Sequence, residues 1–120
     1  MILKLNIRYS TSGDMTVIIA DNGRDALDKI ETNDIDIIFM DVQMPVMDGL
    51  EATGILRERG YKTPIIAITA AADPNDKKAA FRAGMDDFLV KPIIFDSLYE
   101  SIEKHLQSNE PLSTINLLLA

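Results

Sequence analysis

Four short apolar runs, each followed by a stretch with helical spacing, leave this 120-residue chain few ways to fold. The runs are 15–20 (Met-Thr-Val-Ile-Ile-Ala), 35–40 (Ile-Asp-Ile-Ile-Phe-Met), 65–69 (Ile-Ile-Ala-Ile-Thr) and 88–90 (Phe-Leu-Val). Short β-branched runs bounded by turn residues are the signature of strands buried on both faces. Helices are expected over 24–32, 50–59, 74–83 and 95–106. Strands that alternate with helices require a parallel sheet, right-handed crossovers and helices on both faces. The expectation is an α/β fold with an open, doubly wound sheet, in one domain, since 120 residues support a single core.

Punctuation sets the element ends. Asp21-Asn22-Gly23 ends the first run, and Ala26, Leu27 and Ile30 form the apolar stripe of the helix that follows. In the second helix Leu50, Ile55 and Leu56 should face inward, with Glu51, Arg57 and Glu58 outward. Gly54 inside it costs up to about 1 kcal/mol relative to Ala. Asp73-Pro74 is an N-cap followed by a first-turn proline, and Gly60 and Gly84 are helix stops. Leu98 and Ile102 are the inward residues of the last helix.

The net charge of −7 and pI near 4.5 work against contact with a phosphate backbone, so no nucleic-acid partner is expected. The basic groups Arg57/Arg59 and Lys77/Lys78/Arg82 are expected on solvated helix faces. The absence of cysteine excludes a disulfide framework and a thiolate metal site. Neither a secretory signal nor an apolar stretch of the ~20 residues a membrane span needs is visible, so a cytoplasmic location without membrane contact is expected.

Three of the strands end in one polar residue each: Asp41 after the second run, Thr69 on the third and Lys91 after the fourth. In a parallel sheet these ends share an edge, and ligands of open α/β sheets bind beyond it. A carboxylate there can attack phosphorus and form an acyl phosphate. An ammonium and a hydroxyl beside it can hold the phosphoryl oxygens.

With these residues in place the chain resembles the receiver domain of two-component response regulators, over about residues 15–107. The motifs are Met40-Asp41-Val42-Gln43-Met44-Pro45-Val46-Met47-Asp48-Gly49, Ile68-Thr69-Ala70 and Ala83-Gly84-Met85-Asp86-Asp87-Phe88-Leu89-Val90-Lys91-Pro92. The resemblance implies a flavodoxin-like fold and a phosphorelay role. Asp41 would be the phosphoacceptor, Thr69 the switch hydroxyl, Lys91 the phosphate-pairing lysine and Phe88 the switch aromatic. It also implies a cis bond before Pro92, and Mg²⁺ held by Asp41 and the Gln43 backbone carbonyl. The implied partner is a histidine kinase or histidine phosphotransfer protein. Asp86 and Asp87 are expected to shape the turn before a strand, and His105 to lie at the surface.

The pattern breaks at the start. A receiver begins with a central strand ending in two adjacent acids that help hold the metal, then a helix. Residues 1–14 are too short for both, because a parallel crossover alone takes a dozen residues or more. No acidic pair of that kind is present. Leu3, Leu5, Ile7 and Tyr9 alternate with Lys4, Asn6 and Arg8, which favours a strand in a hairpin with 15–20; a remnant of the first helix is the alternative. The missing central strand could be replaced by residues 2–9 or by another copy of the chain, giving a homodimer through the N-terminal segment. Residues 108–120 are set apart from the 1–107 domain as an apolar tail, which either covers the exposed surface or belongs to a linker.

Two other functions are open to a chain of this pattern. A pseudo-receiver would keep the fold as a phosphorylation-independent binding module, for want of metal ligands. An aspartyl-phosphatase needs a second carboxylate two residues after the nucleophile, where this chain has Gln43, so no enzyme is expected.

Overall fold

The computed structural model describes residues 2–5, 14–70, 73–106 and 114–120. In chain order the elements are β1 (Ile2–Leu5), β2 (Asp14–Ile19), α1 (Gly23–Thr32), β3 (Ile37–Asp41), α2 (Gly49–Glu58), β4 (Ile65–Thr69), α3 (Pro74–Ala83), β5 (Asp87–Val90), α4 (Phe95–His105) and β6 (Thr114–Leu119). The six strands form one sheet in the order β1-β2-β6-β3-β4-β5. All neighbours are parallel except β1, which runs antiparallel to β2 with Ile2 opposite Ile18 and Leu5 opposite Met15. Without that outer strand the order is that of flavodoxin-like sheets, whose first strand lies between the second and third.

The expected hairpin pairing of the N-terminal segment is present for residues 2–5; residues 6–13 lie outside the described residues. Two expectations are corrected. The vacant central position is filled by β6 rather than by residues 2–9. Residues 114–119 are therefore an integral strand of the sheet rather than a tail beside it. β6 pairs with β2 from Asp14–Thr114 to Ile19–Leu119, and with β3 from Ile37–Leu117 to Phe39–Leu119. Its fit is chemical as well as topological. Ile115, Leu117 and Leu118 are almost fully buried, and burial of such side chains stabilises by about 1.5–3 kcal/mol each. Leu118 faces the core shared with α1, α2 and α3, whereas Ile115 and Leu117 face the core shared with α4.

Asn116 fixes the register. Its N–H donates to the Asp36 carboxylate at 2.8 Å, its carbonyl accepts from the Asp36 N–H at 2.8 Å, and its amide donates to the Asp34 carbonyl at 2.8 Å. A slip of one residue would break all three bonds and turn Leu118 to the wrong face.

Helix starts follow the sequence. Asn22, Asp48 and Asp73 each accept a backbone N–H in the first turn, and Gly84 ends α3 in the left-handed region at φ 111°. The inward face of α2 differs from expectation: Ala52, Thr53 and Leu56 are its fully buried residues, while Leu50 and Ile55 are half-buried. Arg57 is not a solvated face residue. Its guanidinium donates to the carbonyls of Gly84, Tyr61 and Thr63 and to the Asp86 carboxylate, all at 2.9 Å. It thereby ties the end of α2 to the turn before β5.

Gly54 faces open space, with nothing within 4 Å of where a Cβ would stand. Gly54→Ala should therefore raise stability by about 0.5–1 kcal/mol, read as a higher urea midpoint at unchanged m-value.

Candidate functional site

The C-terminal ends of β3, β4 and β5 open onto a cavity of about 300 Å³ lined by Asp41, Val42, Gln43, Ile68, Thr69, Ala70, Asp76 and Lys91. The three polar residues that end these strands thus meet in one place. The Lys91 ammonium contacts Asp41 Oδ2 at 2.5 Å, with half the Lys91 side chain and a quarter of the Asp41 side chain exposed. Asp41 Oδ1 accepts from the Gln43 N–H at 2.9 Å. Thr69 lines the same cavity, and its carbonyl accepts the Lys91 N–H at 2.8 Å, which couples the ends of β4 and β5. The Lys91–Pro92 peptide bond is cis.

The loop after Asp41 is held by close backbone packing. A Cβ on Gly49 would stand 2.2 Å from the Asp41 carbonyl oxygen, so only glycine lets α2 begin against the end of β3. The Gly49 N–H donates to the Val42 carbonyl at 3.2 Å, and the Gly23 N–H donates to the Met47 carbonyl at 2.9 Å. The end of β6 joins the same framework. The Asp41 N–H donates to the Ala120 carbonyl at 2.7 Å, and the Ala120 N–H donates to the Phe39 carbonyl at 2.9 Å.

Asp76, in the first turn of α3, is a cavity residue that sequence reasoning missed. A helix that follows β4 starts on the same edge as Asp41, and that rule would have found it. Phe88 is half-buried against the first core, with the Lys77 ammonium 4.2 Å from its ring centroid. The small residues after Thr69 in the sequence (Ala70-Ala71-Ala72) would leave the site open to a bulky donor; Ala70 lines the cavity, and Ala71 and Ala72 lie outside the described residues.

Asp86 and Asp87 do shape the region around the start of β5. Asp86 accepts from Arg57 and from the Ile65 N–H, each at 2.9 Å. Asp87 Oδ2 meets Lys104 Nζ and His105 Nε2, each at 3.1 Å. His105, expected at the surface, is only 16% exposed and docks the end of α4 on β5. Burial raises the Asp87 pKa, but hydrogen bonds from His105, the Phe88 N–H and Lys104 outweigh it and leave the carboxyl below its ordinary value of 3.8.

Residues 1–103 match the family model of the response regulator receiver domain. The chain belongs to that family. It is 36% identical over 115 residues to transcription factor SKN7 of Candida albicans, covering 90% of this chain and 20% of that protein. To the sensor histidine kinase GacS of Pseudomonas protegens it is 46% identical over 82 residues, covering 64% of this chain and 9% of the kinase. The chain therefore spans a fifth or less of those two proteins. Among solved structures, the receiver domain of a Pseudomonas aeruginosa sensor histidine kinase aligns with a TM-score of 0.68 and 35% identity, over 76% of each chain. That structure is described with a magnesium ion coordinated in its active-site cleft. A Francisella response regulator receiver domain aligns with a TM-score of 0.67 and 34% identity, over 72% of each chain. Among the described residues no helix is long and apolar enough to cross a membrane.

The depressed Asp87 pKa carries a sign. A carboxylate whose folded pKa lies below its unfolded value stabilises fully above the unfolded value, and that contribution is lost as pH falls through the folded one. The stability gap between wild type and Asp87→Asn should hold above about pH 5 and narrow below about pH 4, read from urea midpoints across pH.

Proposed function

We propose that this chain is a phosphoacceptor receiver of a two-component phosphorelay, taking a phosphoryl group onto Asp41 from a histidine kinase or histidine phosphotransfer protein. The observation that carries this reading is the Lys91–Asp41 contact in a cavity that Thr69 also lines. A carboxylate oxygen of Asp41 attacks phosphorus as the bond to the donor imidazole nitrogen breaks. The imidazole keeps the electron pair, and Asp41 becomes an acyl phosphate. Lys91 moves its ammonium from the carboxylate to a phosphoryl oxygen, and the Thr69 hydroxyl donates to another. Phe88 turns with Thr69 and reports the change at the surface.

Among the described residues no group of three or more acidic, histidine or cysteine side chains is arranged to hold a metal. The donors present still fit Mg²⁺, which accepts one or two carboxylates completed by water and phosphate oxygens. Asp41 and the Gln43 carbonyl would hold it. When bound, Mg²⁺ neutralises the charge on the phosphoryl oxygens in the transition state.

Incubation with acetyl phosphate and Mg²⁺, followed by intact mass, should give one phosphoryl adduct that is absent in Asp41→Asn. Lys91→Ala should slow its formation by about 10²-fold. No adduct from acetyl phosphate, nor from a phosphorylated phosphotransfer protein, would instead identify a pseudo-receiver that binds partners without phosphorylation.

A further inference from the structure

We propose that β6 is an exchangeable strand, and that the slot between β2 and β3 docks the β6 of a second copy of this chain to form a reciprocal dimer. The strand at the centre of the sheet is the last one in the sequence. Every element that borders its slot precedes it in the chain. β2 and β3 lie early in the chain, α1 to α3 cover one face, and α4 packs on the other. Until β6 arrives, β2 offers a row of backbone groups from Asp14 to Ile19 and β3 one from Ile37 to Phe39. Such paired open edges select an apolar parallel strand and are indifferent to which copy supplies it.

The ties that hold β6 are specific, and all of them can form between chains. Ile115 and Leu117 fill one core, Leu118 fills the other, and Asn116 pins the register on Asp34 and Asp36. In sequence, β6 follows α4 through 107–113 (Gln-Ser-Asn-Glu-Pro-Leu-Ser). Because β6 is tethered to the slot by its own chain, the intramolecular strand has the advantage over one from a second copy in dilute solution. The closed monomer should therefore prevail in dilute solution, and exchange should appear when chains fold together at high concentration. This inference is independent of phosphoacceptance, because its readout does not involve Asp41.

The chain has no cysteine, so the exchange can be trapped cleanly. Ile19 and Leu119 are in-register neighbours on β2 and β6, both half-buried on the same core. Neighbouring strands bring such pairs within disulfide range. A ¹⁵N-labelled Leu119→Cys chain and an unlabelled Ile19→Cys chain are unfolded together, refolded by dilution across a range of concentrations, oxidised and weighed intact. The expected product is a mixed-isotope disulfide dimer. Its ratio to monomer should rise about tenfold per tenfold rise in concentration while it is the minor species. A control pairing Leu119→Cys with Glu58→Cys, an exposed site on α2, should not give it. The double variant Ile19→Cys/Leu119→Cys should close within one chain at low concentration.

Closure of the double variant with no mixed dimer above the control at any concentration overturns the exchange. Failure of the double variant to close also overturns it, because β6 would then not occupy the slot. Sedimentation of the unsubstituted chain after concentrated refolding provides a measurement free of any substitution. A dimer that reverts to monomer only after unfolding is expected, and monomer alone counts against the proposal.

Discussion

Everything in this fold depends on the slot between β2 and β3 being filled. A sheet buried on both faces cannot leave a gap at its centre, because each backbone group stranded there without a partner costs about 1–3 kcal/mol. β6 closes the gap with backbone pairing on both sides and with three side chains that reach into two cores. It also reaches the site. The Ala120 carbonyl takes the Asp41 N–H, so the strand that completes the sheet also fixes the backbone from which the Asp41 carboxylate projects. Stability of the sheet centre and geometry of the cavity are therefore one property.

The site itself is assembled by turns rather than by long side chains. Gly49 lets α2 start against the Asp41 backbone, and the Lys91 N–H bonds the Thr69 carbonyl. With the backbone fixed in this way, Asp41 needs only the Gln43 N–H on one oxygen and Lys91 on the other to be oriented. Arg57 acts as a comparable fastener at the opposite edge, gathering three carbonyls and the Asp86 carboxylate.

The alternation of strands and helices was legible because apolar runs and punctuating Gly, Pro and Asp coincide. The meeting of Asp41, Thr69 and Lys91 was legible because parallel strands share an edge. β6 was not, although the vacancy was. Its run of Ile115, Leu117, Leu118 and Leu119 has no clean period, and the partners it pairs with lie about a hundred residues back for β2 and about eighty for β3. Local pattern cannot tell a central strand from an apolar tail when the deciding contacts are that remote. Arg57 and His105 were misplaced for a related reason. Each is polar on a polar helix face, and only the packing of a distant turn or strand turns that face into an interface.

Charge balance in the cavity sets what it can accept. Among the described residues, two carboxylates, Asp41 and Asp76, line it against the single ammonium of Lys91, and that ammonium already contacts Asp41. A phosphoryl group brings further negative charge, which the carboxylates lining the cavity repel. Lys91 cannot offset both carboxylates and a dianion. If Asp41 takes a phosphoryl group as proposed, opposite charge would have to come either from a divalent cation on the Asp41 side or from a basic donor surface that approaches with it. A cation held by so few protein carboxylates would bind weakly, with its coordination completed by the incoming phosphate. Metal and phosphoryl group would then enter as mutually dependent ligands, each raising the affinity of the cavity for the other.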